Sequence, residues 1–127
     1  MDHGGGSLLG VCQDELFGGN SIGLIDIRKA FKDVWTDEIS SNNPPFEVVA
    51  FDTCIMSTYE TAVSLEGIAR YMVASQESIW GKVMFNYNGL LEGLSVNPTM
   101  NGEELGKLIC DTYKQDSEIF AYIIKML

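Results

Sequence analysis

Histidine is nearly absent from this 127-residue chain, and His3 is the only one. Any chemistry that needs an imidazole must use it. Basic residues are scarce as well: eight Lys and Arg stand against eighteen Asp and Glu, for a net charge of -10. So acidic a surface repels phosphate backbones and anionic lipid, which counts against nucleic acid and membrane surfaces as partners and weakly favours a basic peptide. No apolar run approaches the roughly 18 residues that cross a bilayer. The start, Met1-Asp2-His3-Gly4-Gly5-Gly6, lacks the basic n-region and apolar core of a signal peptide, so export would have to be encoded upstream. Cys12, Cys54 and Cys110 are odd in number and widely spaced. That excludes a closed disulfide framework and a CxxC metal knuckle, and leaves at least one free thiol.

What is present suits one globular domain: 46% hydrophobic and 20% charged residues, with aromatics throughout. The first twenty-one residues are glycine-rich and read as loop. Leu24, Ile27, Ala30, Phe31, Val34 and Trp35 then recur at helical spacing, between charged residues, and predict an amphipathic helix. The run from Ser40 to Pro45 ends it in a turn. Phe46-Glu47-Val48-Val49-Ala50-Phe51 reads as a strand buried on both faces, as in a parallel sheet. A helix should begin near Ser57 or Thr58, with Tyr59, Ala62, Val63, Leu65, Ile68 and Ala69 as its apolar stripe. Tyr71-Met72-Val73-Ala74-Ser75 completes a βαβ unit, so the fold class is α/β. The remainder reads as mostly helical, with a short helix over Phe85 to Leu94. After a break at Asn97-Pro98, Asn101 caps a helix that buries Leu105, Leu108, Ile109, Thr112 and Tyr113. Ile119 to Leu127 is apolar to its end, which reads as a core element cut short.

Cys54 falls just past the carboxyl end of the first strand. There a parallel sheet holds loops rigidly and leaves their side chains accessible. The following helix would turn its positive end toward a thiolate. A buried structural cysteine is the plain alternative. His3 is followed by three glycines, whose backbone can approach a ligand and turn an N–H toward an oxyanion; a frayed, tag-like terminus has the same composition. Asp2 either orients the imidazole or is solvated. Gly4-Gly5-Gly6 matches neither GxGxxG nor GxxxxGKS/T, so a phosphate loop has little support.

Together the blocks resemble the clostripain family of cysteine peptidases, in the caspase, gingipain and legumain-like clan. The matching segments, in family order, are Asp2-His3-Gly4-Gly5-Gly6, Gly10-Val11-Cys12-Gln13-Asp14 and Phe51-Asp52-Thr53-Cys54-Ile55-Met56. Tyr59-Glu60, Tyr71-Met72-Val73-Ala74-Ser75-Gln76-Glu77 and Asn97-Pro98 follow. The resemblance implies a caspase-like α/β/α sandwich with a mostly parallel sheet. It makes residues 1–127 a partial catalytic domain, lacking N-terminal strands and truncated at the C-terminus. It implies peptide hydrolysis through a thioester, with Cys54 as nucleophile, His3 as general acid and base, and the backbone N–H groups of Gly4 and Cys54 as oxyanion hole. Asp52, Ser75 and Glu77 would bind substrate and select a basic residue before the cut; Asp52 could instead cap the following helix. The substrate is then a peptide or protein. No metal is expected in the site, calcium is known among relatives, and the location would be secreted or cell-envelope.

Two features depart from the family pattern. Position 76 is Gln where relatives carry an acid, and Ile79-Trp80-Gly81-Lys82 places a cation near another expected acid. Arg28, Lys29 and Lys32 are the basic candidates for self-cleavage between the His and Cys blocks, but they fall on the predicted helix. The competing function is a non-catalytic binding module that retains the fold.

Overall fold

The apolar runs around positions 48 and 72 pair side by side, and the rest of the chain is arranged about them. A computed structural model describes residues 5, 6, 10–14, 16, 18–35, 43–78, 85–116 and 121–126. Strands β3 (Phe46–Ala50) and β4 (Ala69–Ser75) are parallel, with Val48 opposite Tyr71 and Ala50 opposite Val73. Helix α2 (Tyr59–Ser64) crosses between them, which completes the predicted βαβ unit. Strand β5 (Ala121–Lys125) pairs antiparallel on the other side of β4, giving the order β3-β4-β5.

Because β4 is central, its alternating side chains enter two cores. Met72 and Ala74 join Met56, Leu65 and Ile68 in one, and Leu24, Ile27 and Phe31 of helix α1 (Leu24–Val34) and Ala62 of α2 pack against it. Val73 enters the other, with Ile109, Cys110 and Tyr113 of helix α4 (Gly102–Asp116) and Leu90 of helix α3 (Tyr87–Val96). Helices thus cover both faces of the sheet. Leu65, Ile68, Met72 and Val73 are wholly buried, and each such side chain contributes roughly 1.5–3 kcal/mol of transfer free energy.

Local signals decide where helices start. Asn101 Oδ1 accepts from the Glu104 N–H at 3.0 Å while Glu104 Oε2 accepts from the Asn101 N–H at 2.9 Å, a reciprocal cap that opens α4 as predicted. Thr58 caps α2 through the Thr61 N–H. The Asp26 carboxylate accepts from the Gly23 N–H at the start of α1. No basic residue lies in the last turn of α2. Arg28 of α1 supplies one, donating to the carbonyls of Val63, Ser64 and Glu66 at 3.3, 2.7 and 3.1 Å. Of the three self-cleavage candidates, Arg28 is therefore tied down, and Lys29 is paired with Asp33 on the same helix.

Several expectations are corrected. The glycine-rich start is no simple loop: β1 (Val11–Asp14) and β2 (Asn20–Ile22) form an antiparallel pair with an irregular register. Gly10, Gly18 and Gly19 supply positive φ at its entrance and turn, so the glycines that suggested loop are what permits the hairpin. Strand β3 is not buried on both faces; it lies at the edge of the sheet among the described residues, and Glu47 and Ala50 are exposed. Helix α2 stops at Ser64, which leaves Tyr59 81% and Val63 44% exposed rather than on a buried stripe. The apolar C-terminal region, given no type from its sequence, forms strand β5. The turn predicted for 40–45 lies partly outside the described residues.

Candidate active site

The connection from β3 to α2 builds the site. Pairing with β4 continues one residue beyond β3, where the Phe51 N–H donates to the Val73 carbonyl at 2.8 Å. The chain then turns through Asp52, Thr53 and Cys54. Two further backbone bonds reach the end of β4: the Ile55 N–H donates to the Glu77 carbonyl at 3.2 Å, and the Ser57 N–H to the Ser75 carbonyl at 3.0 Å. Between them Met56 is wholly buried and anchors the turn in the core. Cys54 is half-buried at the top of this turn, whereas Cys110 is buried and Cys12 exposed. Ile55, the residue after it, has φ 54°. A β-branched side chain rarely adopts that conformation, and holding it there costs about 1–2 kcal/mol.

Segments distant in sequence converge here. A methyl group at Gly6 would lie 3.1 Å from the Ile55 carbonyl oxygen and 3.7 Å from Thr58 Cγ2, so Gly6 packs closely on the Cys54 turn. Gly6 itself has φ 66°, and its carbonyl accepts from the Gly10 N–H at 3.0 Å. His3 and Gly4 lie outside the described residues, as do Asp2 and the stretch 79–82 that includes Lys82.

Asp52 does not cap α2, a role taken by Thr58. Its half-buried carboxylate instead reaches the start of α3, where Oδ1 accepts from the Phe85 N–H at 3.0 Å and Oδ2 from the Tyr87 hydroxyl at 2.8 Å. Ser75 is 2% exposed, and its hydroxyl is engaged locally: it accepts from the Glu77 N–H at 3.1 Å and contacts the Glu77 carbonyl at 3.2 Å. Glu77 and Gln76 are exposed at the end of β4. Below the turn lies Tyr113, 1% exposed, its ring edge-on to Phe85 with centroids 6.0 Å apart. Burial pushes its phenol above the usual range, and the nearby charges of Asp52 and Cys54 push it the same way. The helical spacing had marked Tyr113 only as core, and nothing local linked Phe85 or Tyr87 to Asp52, more than thirty residues earlier. Among the described residues no three His, Cys, Asp or Glu side chains converge to hold a metal ion. None of their helices is long and apolar enough to cross a membrane.

A half-buried thiol in a tight turn at the carboxyl end of a parallel strand, with helices on both faces of the sheet, marks the α/β class whose ligand sites lie at this edge. The sequence pattern of the clostripain family matches residues 1–122, and the chain belongs to that family, as the ordered blocks implied. No curated protein sequence matches it. Among solved structures it is similar to a B. fragilis cysteine protease (18% identity, TM-score 0.57, covering 80% of this chain and 37% of that one). It is also similar to a secreted C11 cysteine protease from Bacteroides thetaiotaomicron in complex with an irreversible peptide inhibitor (20% identity, TM-score 0.69, covering 98% and 37%). These likenesses bear out the α/β fold with its parallel sheet. The chain spans 37% of the length of each of these structures.

Proposed function

We propose that this chain carries the catalytic pair of a cysteine endopeptidase. Cys54 attacks the scissile carbonyl as thiolate, and His3 gives a proton to the leaving amine. His3 then takes a proton from the water that hydrolyses the thioester. The backbone N–H groups of Cys54 and Gly4 receive the oxyanion. Asp52, with Ser75 and Glu77 at the end of β4, selects a basic residue before the cut. Since Ser75 is buried and bonded within its own turn, its part is to shape the backbone there, which leaves the carboxylates of Asp52 and Glu77 to meet substrate charge.

The observation that carries this reading is the Cys54 turn: an accessible thiol, backbone bonds to the neighbouring strand, and a strained residue directly after it. Such strain is characteristic of sites where geometry is held for chemistry. Membership of the clostripain family supports it, as does the packing of Gly6, three residues from His3, on the same turn. The peptide inhibitor bound to the similar B. thetaiotaomicron protease supports a peptide substrate, and that protein's secretion supports export here.

An Arg-chloromethylketone tests the proposal on the polypeptide to which these residues belong. It should alkylate Cys54 and neither Cys12 nor Cys110, as read by peptide mass mapping. Cys54→Ala should lower hydrolysis of an Arg-fluorogenic peptide at least about a thousandfold. Full activity in that variant removes the assignment. Peptide binding without labelling or turnover would support the non-catalytic binding module instead.

A further inference from the structure

Asp52 is clasped from one short stretch of chain. Phe85 and Tyr87 lie just before and at the start of α3, and each donates to a different oxygen of the same carboxylate. Two donors on two oxygens fix both the plane of the carboxylate and its rotation. A carboxylate has about four acceptor positions, two per oxygen. Among the described residues these two are the donors that reach Asp52, one on each oxygen, which is fewer than a carboxylate can accept. A carboxylate held in one plane suits the paired N–H bonds of a guanidinium, whereas an ammonium binds as a compact point charge and has no use for the plane. The clasp is itself braced: Phe85 packs edge-on to Tyr87 at 6.3 Å and to buried Tyr113 at 6.0 Å between ring centroids. Tyr87 is 49% exposed, and its bond to Asp52 lies at the surface.

We propose that Tyr87 is a specificity-determining positioning residue. It holds Asp52 in the orientation that receives a guanidinium through two parallel bonds, and so favours arginine over lysine before the cut. The inference rests on the reading of Asp52 as the acid that meets the basic side chain. Tyr87 acts through Asp52 and takes no part in the bond-breaking steps.

The test compares the full polypeptide with its Tyr87→Phe and Asp52→Asn variants, on three peptides that differ only in Arg, Lys or Gln before a fluorogenic group. Tyr87→Phe keeps the ring against Phe85 and removes only the hydroxyl. It should raise KM for the Arg peptide about five- to tenfold, with kcat changed by less than about twofold and the Lys and Gln peptides nearly unaffected. An Arg-to-Lys ratio as in wild type, or an equal loss on all three peptides, overturns the inference. Asp52→Asn separates the two ways to fail. If wild type shows no preference for basic peptides, or Asp52→Asn keeps that preference, the reading of Asp52 falls and the inference with it. If Asp52→Asn erases the preference while Tyr87→Phe leaves the Arg-to-Lys ratio intact, the role of Tyr87 alone is wrong.

Discussion

The turn from Asn97 to Asn101 and the turn from Asp52 to Thr58 both deliver the chain into a capped helix, yet different partners hold them. In the first, the hydrogen bonds are local. The Asn97 N–H donates to the Gly93 carbonyl, Thr99 Oγ1 bonds Asn97 Oδ1 at 3.1 Å, and Asn101 and Glu104 cap each other. In the second, the ties run to Ser75, Glu77, Phe85 and Tyr87, with Gly6 packed against it. That turn also carries costs the other lacks. Ile55 is held at positive φ, and the buried hydroxyls of Thr53 and Ser57 have no hydrogen-bond partner among the described residues. A buried unpaired hydroxyl costs about 1–3 kcal/mol. Local rules suffice to turn a chain, whereas a turn that must present Cys54 is held from several directions and keeps strain that packing elsewhere offsets.

The sharpest way to strain this contrast is to push on the Cys54 turn from a residue far away in sequence. Gly6→Ala places a methyl group 3.1 Å from the Ile55 carbonyl oxygen, at a backbone φ of 66° that alanine resists. Stability should fall by about 2 kcal/mol in chemical denaturation. Hydrolysis should fall about tenfold in kcat/KM, because the Ile55 carbonyl must shift beside Cys54. Lost stability with full activity would show that the Cys54 turn does not depend on its distant supports.

A change in the locally held turn should do the reverse. Asn101→Ala removes the cap that accepts from the Glu104 N–H, and it should cost about 1 kcal/mol. Hydrolysis under folding conditions should stay within about twofold of wild type. A drop in activity comparable to that of Gly6→Ala would erase the distinction between the turns.

The same contrast explains what the sequence made legible. Asn101, Thr58 and the α1 stripe through Leu24, Ile27 and Phe31 were readable because their partners lie within a turn or two of chain. The βαβ unit was readable because two β-rich apolar runs flank a helical one. The sequence left Asp52 open between capping and pocket, because its donors at Phe85 and Tyr87 sit across the fold. The hairpin of β1 and β2 was hidden by the glycines that make it possible, since positive φ serves loops and tight turns alike. The exposure of Glu47 and Tyr59 could not be read either: composition marks a segment as apolar, but which of its faces meets a neighbour depends on sheet order and helix length. Cys54 was located by its place after a strand; the strain at Ile55 left no mark in the sequence.

The smallest expected effect lies beneath the Cys54 turn, at Tyr113. Burial raises its phenol above the usual value of about 10, and the charges of Asp52 and Cys54 add to that shift. In the unfolded chain the phenol loses its proton near the usual value, while in the folded protein it keeps the proton to higher pH. Between those two values the folded state binds more protons than the unfolded one, so stability falls as pH rises; below that window Tyr113 contributes no slope. Tyr113→Phe has no proton to lose, and its stability, followed by denaturant melts from neutral to strongly alkaline pH, should fall less steeply than wild type above about pH 10. Removing a neighbouring charge should act in the same sense more weakly, so Cys54→Ala should flatten the wild-type slope in part. Parallel slopes for wild type and Tyr113→Phe would mean that the phenol ionises alike in both states, and that the Cys54 turn does not rest on a desolvated base.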